Sequence, residues 1–104
     1  MTENFILSFI PERMKQLGYT SYHIRYRDIA VLPNSNIIVP AYNELWFAVD
    51  NPVGIRIESG YGVYDTTGSD TFFENKHEHR GEILITNPDT GLRRIKFIQA
   101  IIVN

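Results

Sequence analysis

Polar and apolar residues alternate along most of this chain, in short runs that are separated by turn residues. Residues 37–39, 45–49 and 53–57 form three such runs, and they are followed by Pro40, Asn51-Pro52 and Ser59-Gly60. β-Branched and aromatic residues dominate the runs, as they do on a pleated, half-buried surface. About eight such segments follow one another, with turn residues every ~8–12 positions. We therefore predict an all-β fold, a single-domain antiparallel β-sandwich or jelly-roll-like barrel.

The first eighteen residues carry a different period. Their apolar residues share one face at helical spacing, at Phe5, Ile6, Phe9 and Ile10. We predict two short helices, the first capped by Asn4 and the second covering Pro11–Leu17, with Gly18 as its C-terminal stop. Residues 1–18 are thus expected to form a helical arm that packs on the β domain of residues 19–104.

The segment of residues 19–32 predicts a strand with two unlike faces. Tyr22, Ile24 and Tyr26 alternate with His23, Arg25 and Arg27, which gives one aromatic and one cationic face. The alternation slips by one position at Asp28, and such a slip predicts a β-bulge.

The end of the chain predicts a β-hairpin. In residues 82–86 and 92–103, apolar residues recur at every second position, as in a strand. Between these segments lies the turn sequence Asn-Pro-Asp-Thr-Gly at 87–91. A further loop, at 40–44, is expected to separate two short strands. The long polar stretch 65–81 is expected to form a surface loop.

Two segments are apolar on both faces, namely residues 45–49 and the second half of 92–103. Each is either a central strand or a strand covered by a partner chain. A chain of this size would otherwise expose a large apolar patch. We therefore predict a non-enzymatic structural or assembly module that forms a homo-oligomer. The expected interface residues are Trp46, Tyr42, Ile98 and Ile102.

Composition and charge exclude several classes of function. Ten basic and twelve acidic residues give a net charge of −2 without a cationic block, so nucleic-acid binding is not expected. The absence of cysteine excludes disulfides, thiol nucleophiles and cysteine-ligated metals. No apolar run reaches the ~20 residues of a membrane span, and the first residues make a poor signal peptide. We expect a cytoplasmic protein, or a component of a virus or phage particle made in the cytoplasm.

One cluster predicts metal chemistry as an alternative. His77 and His79 lie two positions apart, so a strand would point both imidazoles to one face, and Glu82 follows after a turn. This arrangement is similar to the first motif of cupins, in which a His-x-His pair and a following Glu bind a metal inside a jelly-roll barrel. The resemblance implies a metal-dependent small-molecule enzyme or sensor with a divalent cation, and His23 is a candidate further ligand. The other interpretation is that these are exposed histidines in a charged loop.

Aromatic residues predict a third class of function. Six tyrosines and the single tryptophan are available to line a face that stacks on sugars or peptides. The chain would then be a carbohydrate- or peptide-binding module. The alternative is that the tyrosines fill half-buried strand positions with their hydroxyls at the rim.

Overall fold

The computed structural model describes residues 2–49, 54–67 and 76–103. Within these ranges the chain forms one helix and six antiparallel strands in a single sheet, with strand order β1-β6-β2-β5-β3-β4. The elements are α1 (Glu3–Leu17), β1 (Tyr22–Val31), β2 (Ser35–Ala48), β3 (Arg56–Ser59), β4 (Gly62–Asp65), β5 (Glu78–Asn87) and β6 (Arg93–Ile102). A mostly β fold with an N-terminal helix is confirmed, whereas a second sheet, which a sandwich requires, is not present in the described ranges. Val53 and residues 68–75 of the polar stretch 65–81 lie outside them. The predicted surface loop is wrong at the ends of that stretch, because Asp65 belongs to β4 and residues 78–81 belong to β5.

The N-terminal arm is one helix rather than two. Thr2, not Asn4, caps it, because the Thr2 hydroxyl accepts a hydrogen bond of 3.2 Å from the Phe5 N–H. Pro11 lies inside the helix, where it removes one backbone bond without ending it. A continuous axis aligns Ile6, Ile10 and Met14 on one buried face, and that burial favours the single helix.

The helix ends as the sequence predicts. Gly18 adopts a φ of 85°, and its N–H donates to the Lys15 carbonyl at 3.1 Å. The next N–H, of Tyr19, donates to the Met14 carbonyl at 2.9 Å. This pair of bonds is the Schellman motif, for which glycine is favoured because it has no Cβ to crowd the left-handed backbone.

The predicted loop at 40–44 is part of one long strand. β2 runs from Ser35 to Ala48 with a register irregularity between Ala41 and Trp46, and Asn43 there has a φ of 61°. Side chains on a strand alternate faces, so an irregularity changes which parity points inward. Ile37, Val39 and Ala41 face inward before it, and Trp46 and Ala48 face inward after it.

β1 contains no bulge at Asp28. It pairs with β6 in constant register from Tyr22↔Ile102 to Val31↔Arg93. The slip in the sequence pattern arises because the covered side changes along the strand. Tyr22 packs beneath the helix, whereas Ile29 and Val31 pack on the opposite face of the sheet.

The predicted C-terminal hairpin is wrong, since β5 and β6 are not neighbours. β2 lies between them, pairing with β5 from Ser35 onward and with β6 from Glu44 onward. Turn residues specify that the chain reverses, but they do not specify which strand it then pairs with.

Asn87 fixes the two turns at this end of the sheet. Its fully buried side-chain amide donates to three carbonyls, those of Val31, Leu32 and Gly91, at 3.1, 3.2 and 2.8 Å. Those carbonyls belong to the last residue of β1, to the residue directly after it and to the connection that follows β5. One side chain thereby holds both connections in place.

Two apolar clusters lie on opposite faces of the sheet. We call the first the inner cluster; its buried members are Val31, Ala41, Trp46, Ala48, Ile55, Ile57, Tyr64, Ile83, Ile85, Ile95 and Phe97. We call the second the helix-side cluster; its buried members are Ile6, Ile10, Met14, Leu45, Phe47, Val49, Ile98, Ala100 and Ile102. The two segments that are apolar on both faces are therefore central strands, covered by the chain's own helix and sheet. No helix in the described ranges has the length and apolar composition needed to cross a membrane.

Candidate functional site

His79 is a fully buried histidine with both ring nitrogens engaged. Its Nε2 lies 2.7 Å from the Lys76 carbonyl oxygen, and its Nδ1 lies 2.7 Å from the Ser59 hydroxyl. A carbonyl only accepts, so Nε2 carries the proton and Nδ1 accepts from Ser59. Burial lowers the pKa of His79 and keeps the ring neutral. No lone pair of this ring is left for a metal.

His77 and Glu82 do not join His79 in a metal site. The His77 Nδ1–H donates to the Ala48 carbonyl at 3.1 Å, and its ring lies edge-on to Tyr64 with centroids 4.9 Å apart. Burial lowers the pKa of His77 as well. Glu82 is exposed opposite Pro40, and His23 lies on β1, with β6 and β2 between it and β5. Across the described ranges, no three His, Asp or Glu side chains are grouped to hold a metal ion.

The hydrogen bonds that link Ser59, His79 and Lys76 run in the same order as those of a serine hydrolase. The Ser59 hydroxyl donates to an imidazole, and the Lys76 carbonyl oxygen holds that imidazole in orientation. Here the Ser59 oxygen also accepts from the Tyr61 N–H at 3.2 Å, which holds it within its own turn. His79 has no exposed surface from which to exchange a proton with a substrate. The arrangement therefore fits a structural link between the β3–β4 turn and the start of β5.

Three of the four residues predicted at an oligomer interface are in the core. Trp46, Ile98 and Ile102 are 1, 0 and 7% exposed. Trp46 donates from Nε1 to the Glu44 carboxylate at 2.9 Å, and its ring packs on Phe97. These three side chains therefore make their contacts within the folded chain. Tyr42 alone of the four is exposed, at 67%.

Aromatic residues do not form one stacking face among the described residues. Trp46 and Tyr64 are buried in the inner cluster. Tyr26, Tyr42 and Tyr61 are exposed, but they lie on β1, in the irregular part of β2 and in the β3–β4 turn.

The outer edge of β1, which we call the β1 edge, is one of the two outer edges of the described sheet, and β4 forms the other. β1 is the first strand of the sheet and pairs only with β6. The Val103 N–H donates to the Ser21 carbonyl at 3.0 Å, so this pair is a hydrogen-bonded one. In an antiparallel ladder such pairs recur at every second residue. The odd residues from His23 to Val31 therefore bond to β6, and the even residues point their N–H and C=O groups outward. These even residues are Tyr22, Ile24, Tyr26, Asp28 and Ala30.

The β1 edge has different side chains on its two sides. His23 and Arg25 are exposed on the side of the inner cluster, and Arg27 holds its guanidinium 5.2 Å above the Trp46 ring. On the helix side, Ile24 is 37% and Tyr26 60% exposed. The alternation in the sequence gives these faces, but no sequence signal marks β1 as an edge strand.

A pocket of about 210 Å³ adjoins the β1 edge near the start of α1. It is lined by the apolar side chains of Tyr26, Val49 and Phe97 and by the charged side chains of Glu3, Arg27, Asp28 and Lys96. Pockets for drug-sized ligands hold roughly 300–1,000 Å³. Its size therefore does not favour the small-molecule alternative.

Comparison with protein-family models, with curated proteins and with solved structures gives no match.

Proposed function

We propose that this chain is a non-enzymatic interaction module that binds a partner by adding a strand to the β1 edge. The observation that carries the proposal is the length and regularity of that edge. β1 has ten residues, spans roughly 33 Å and contains neither proline nor a bulge. Extended peptides add to such edges because the outward N–H and C=O groups supply a ready set of hydrogen bonds.

The state of the rest of the sheet supports this choice. Helix α1 covers the apolar face of β2 and β6, and the inner cluster fills the other face. Proteins usually protect an exposed edge by shortening, bulging or covering it. The protection that β1 carries is limited to polar and charged side chains, at His23, Arg25, Arg27 and Asp28.

The same charges disfavour pairing of two β1 strands with each other. Two copies joined edge to edge are related by a two-fold axis normal to the sheet, so residues of equal parity face each other. An axis through Arg25, Tyr26 or Arg27 places arginine directly opposite arginine in every case. Like charges in that position destabilise a strand pair. The edge therefore suits a different partner better than a second copy.

Self-association is a second candidate, and a separate surface favours it. Ile38 is 59% exposed and lies directly opposite the half-buried Leu84. Both point to the helix side of the sheet, in a part that the helix-side cluster does not include. A homo-oligomer formed through this pair would be dissociated by Ile38→Lys but not by Gln16→Lys on the exposed helix surface. Native mass spectrometry of the wild type and both variants decides it, and a wild-type monomer excludes it.

A displayed library of random ten-residue peptides tests the leading proposal. The chain is the bait, and Ile24→Pro is the counter-selection variant. The residue 24 N–H points outward, so proline removes an edge donor and leaves the β6 ladder intact. We expect enriched peptides that bind the variant about tenfold more weakly, which corresponds to about 1.4 kcal/mol. An empty selection, or peptides that bind both proteins equally, overturns the proposal.

A further inference from the structure

We infer that the strand accepted by the β1 edge alternates acidic with apolar side chains. Its acidic residues lie beside His23, Arg25 and Arg27, and its apolar residues lie beside Ile24 and Tyr26. This inference rests on the proposed function and names the chemistry of the partner. It follows from the two unlike faces that flank the edge.

Within the described ranges, no carboxylate forms an ion pair with the arginines on the cationic side of the edge. Arg25 and Arg27 lie two residues apart, so they project to the same face roughly 7 Å from each other. Among the described residues, neither is within ion-pair distance of a carboxylate, although the chain carries twelve acidic residues. The Trp46 ring beneath Arg27 limits the positions of that guanidinium. A group that is already ordered loses less entropy on binding.

An added strand would bring side chains into range of these cations. Directly opposed residues on neighbouring strands have Cβ atoms about 4.5–5.5 Å apart. A carboxylate at that position reaches an arginine, and the planar guanidinium can donate two parallel hydrogen bonds to it. A lysine there would instead oppose the existing positive charge.

The helix side of the edge favours apolar residues. Ile24 and Tyr26 expose much of their apolar surface, while Tyr22 before them packs on the helix-side cluster. An apolar residue on the added strand would bury part of that surface. Asp28 limits the matched stretch, because it faces the same side and lies 3.9 Å from the Arg94 guanidinium. The added strand therefore has to alternate acidic with apolar residues only where it lies opposite residues 23–27 of β1.

Peptide binding tests the inference. Three labelled eight-residue peptides are compared by fluorescence anisotropy: one alternates glutamate with valine, one has lysine in place of glutamate, and one has the first composition in two blocks. We expect the alternating acidic peptide to bind at least about tenfold more tightly than the other two, and more weakly as salt rises.

Variants assign the effect to residues. Arg25→Gln is expected to weaken binding of the acidic peptide several-fold. Arg25→Lys is expected to retain part of the affinity that Arg25→Gln loses. Lys15→Gln makes the same charge change on the exposed end of α1 and is expected to have no effect. Ile24→Pro is expected to weaken binding as it does for the library peptides. Equal binding of the acidic and lysine peptides, or an Arg25→Gln variant that behaves as wild type, overturns the inference.

Three outcomes are distinguished, of which the first separates this inference from the proposed function and the other two refute both. A library that enriches edge-dependent peptides without acidic alternation leaves the function standing and refutes the partner chemistry. A library that enriches nothing refutes both. A single-stranded oligonucleotide that binds wild type and Ile24→Pro equally, and competes with the acidic peptide, also refutes both, because the arginines would then serve as a phosphate-binding surface.

Discussion

Arg13 in the second half of α1 forms a two-point ion pair with Glu78 at the start of β5. The two N–O distances are 2.7 Å (Nε–Oε1) and 2.8 Å (Nη2–Oε2). The two side chains are 25 and 17% exposed, so solvent screens the pair only in part. This contact joins the helix to a strand outside the helix-side cluster.

Loss of this ion pair is expected to loosen the helix. Arg13→Gln should lower the free energy of unfolding by about 1–2 kcal/mol, between the values for exposed pairs and for buried charged hydrogen bonds. Arg94→Gln is the matched control, because Arg94 lies 3.9 Å from Asp28 and both side chains are largely exposed. Urea unfolding measures both changes. Equal effects of the two variants would mean that the Arg13 pair does not stabilise helix docking.

Helix α1 is expected to stabilise the fold by burying the helix-side cluster, without the help of a partner chain. Ile10→Ala removes a fully buried side chain and should lower the free energy of unfolding by about 2–5 kcal/mol. Glu12→Ala, on the exposed face of the same helix, is the control and should change it by less than about 0.5 kcal/mol. An Ile10→Ala variant of unchanged stability would show that α1 does not hold the helix-side cluster.

The stability of the chain is expected to depend on the Asn87 side chain being a hydrogen-bond donor. Asn87→Ala leaves buried carbonyls without a donor, which costs about 1–3 kcal/mol. Asn87→Asp should destabilise more than alanine does, since it directs a carboxylate at three carbonyl oxygens. Thermal unfolding of both variants, with Asn36→Ala as an exposed control, checks the order. A fully stable Asn87→Asp would contradict the role of the amide.

Stability is expected to fall as the pH drops below about 6.5, the ordinary pKa of histidine. Burial lowers the pKa values of His77 and His79 in the folded state, so the unfolded chain binds protons first. The stabilising contribution is therefore complete above the unfolded pKa and is lost as the pH falls through the folded values. The His79 ring is hydrogen-bonded to the Ser59 hydroxyl and the Lys76 carbonyl. The titratable neighbours that act on its pKa are His77 and Glu78, and Trp46 lies opposite it on β2.

Two measurements check this pH dependence. Urea unfolding at pH 7.5 and 5.5 gives the change in stability, and NMR titration of the imidazole protons gives the folded pKa of His79. We expect its titration below pH 6.5. Ser59→Ala removes the hydroxyl donor and should cost about 1–3 kcal/mol at neutral pH. A His79 resonance that titrates at or above 6.5 would contradict a buried, neutral His79 ring.

The direction of the β1 backbone groups can be tested by two proline substitutions. Arg25→Pro removes an N–H that bonds to β6, and it should cost about 3 kcal/mol or more. Ile24→Pro removes an outward N–H and should cost much less. The two sites are adjacent, so local sequence effects are closely matched. The reverse order, measured by urea unfolding, would mean that the outward residues are the odd ones.

Several features of the fold follow from sequence because their causes are local. The alternation in residues 22–27 depends only on side-chain period and predicts β1 with its cationic and aromatic faces. Gly18 ends the helix because few other residues adopt its backbone conformation at low cost. The apolar character of both faces around Trp46 predicts that this strand is central or covered.

The candidate site was less predictable. The sequence places His77, His79 and Glu82 close together along the chain, but His79 donates to the Lys76 carbonyl and accepts from Ser59. Those hydrogen bonds depend on where β3 and its turn pack, which spacing along the chain does not contain.

The sequence by itself determined that the chain is mostly β with an N-terminal helix that ends at Gly18, and which side chains share a face in residues 22–27, because these features depend on period, turn residues and caps within a few positions. Only the tertiary structure decided which strands are neighbours, and with them whether an apolar face is covered and which backbone edge is left open. Insertion of β2 between β5 and β6 separated the apparent hairpin, and docking of α1 buried Ile98 and Ile102. Both outcomes depend on long-range packing and hydrogen bonding between segments far apart in the chain, as does the position of β1 at the edge of the sheet.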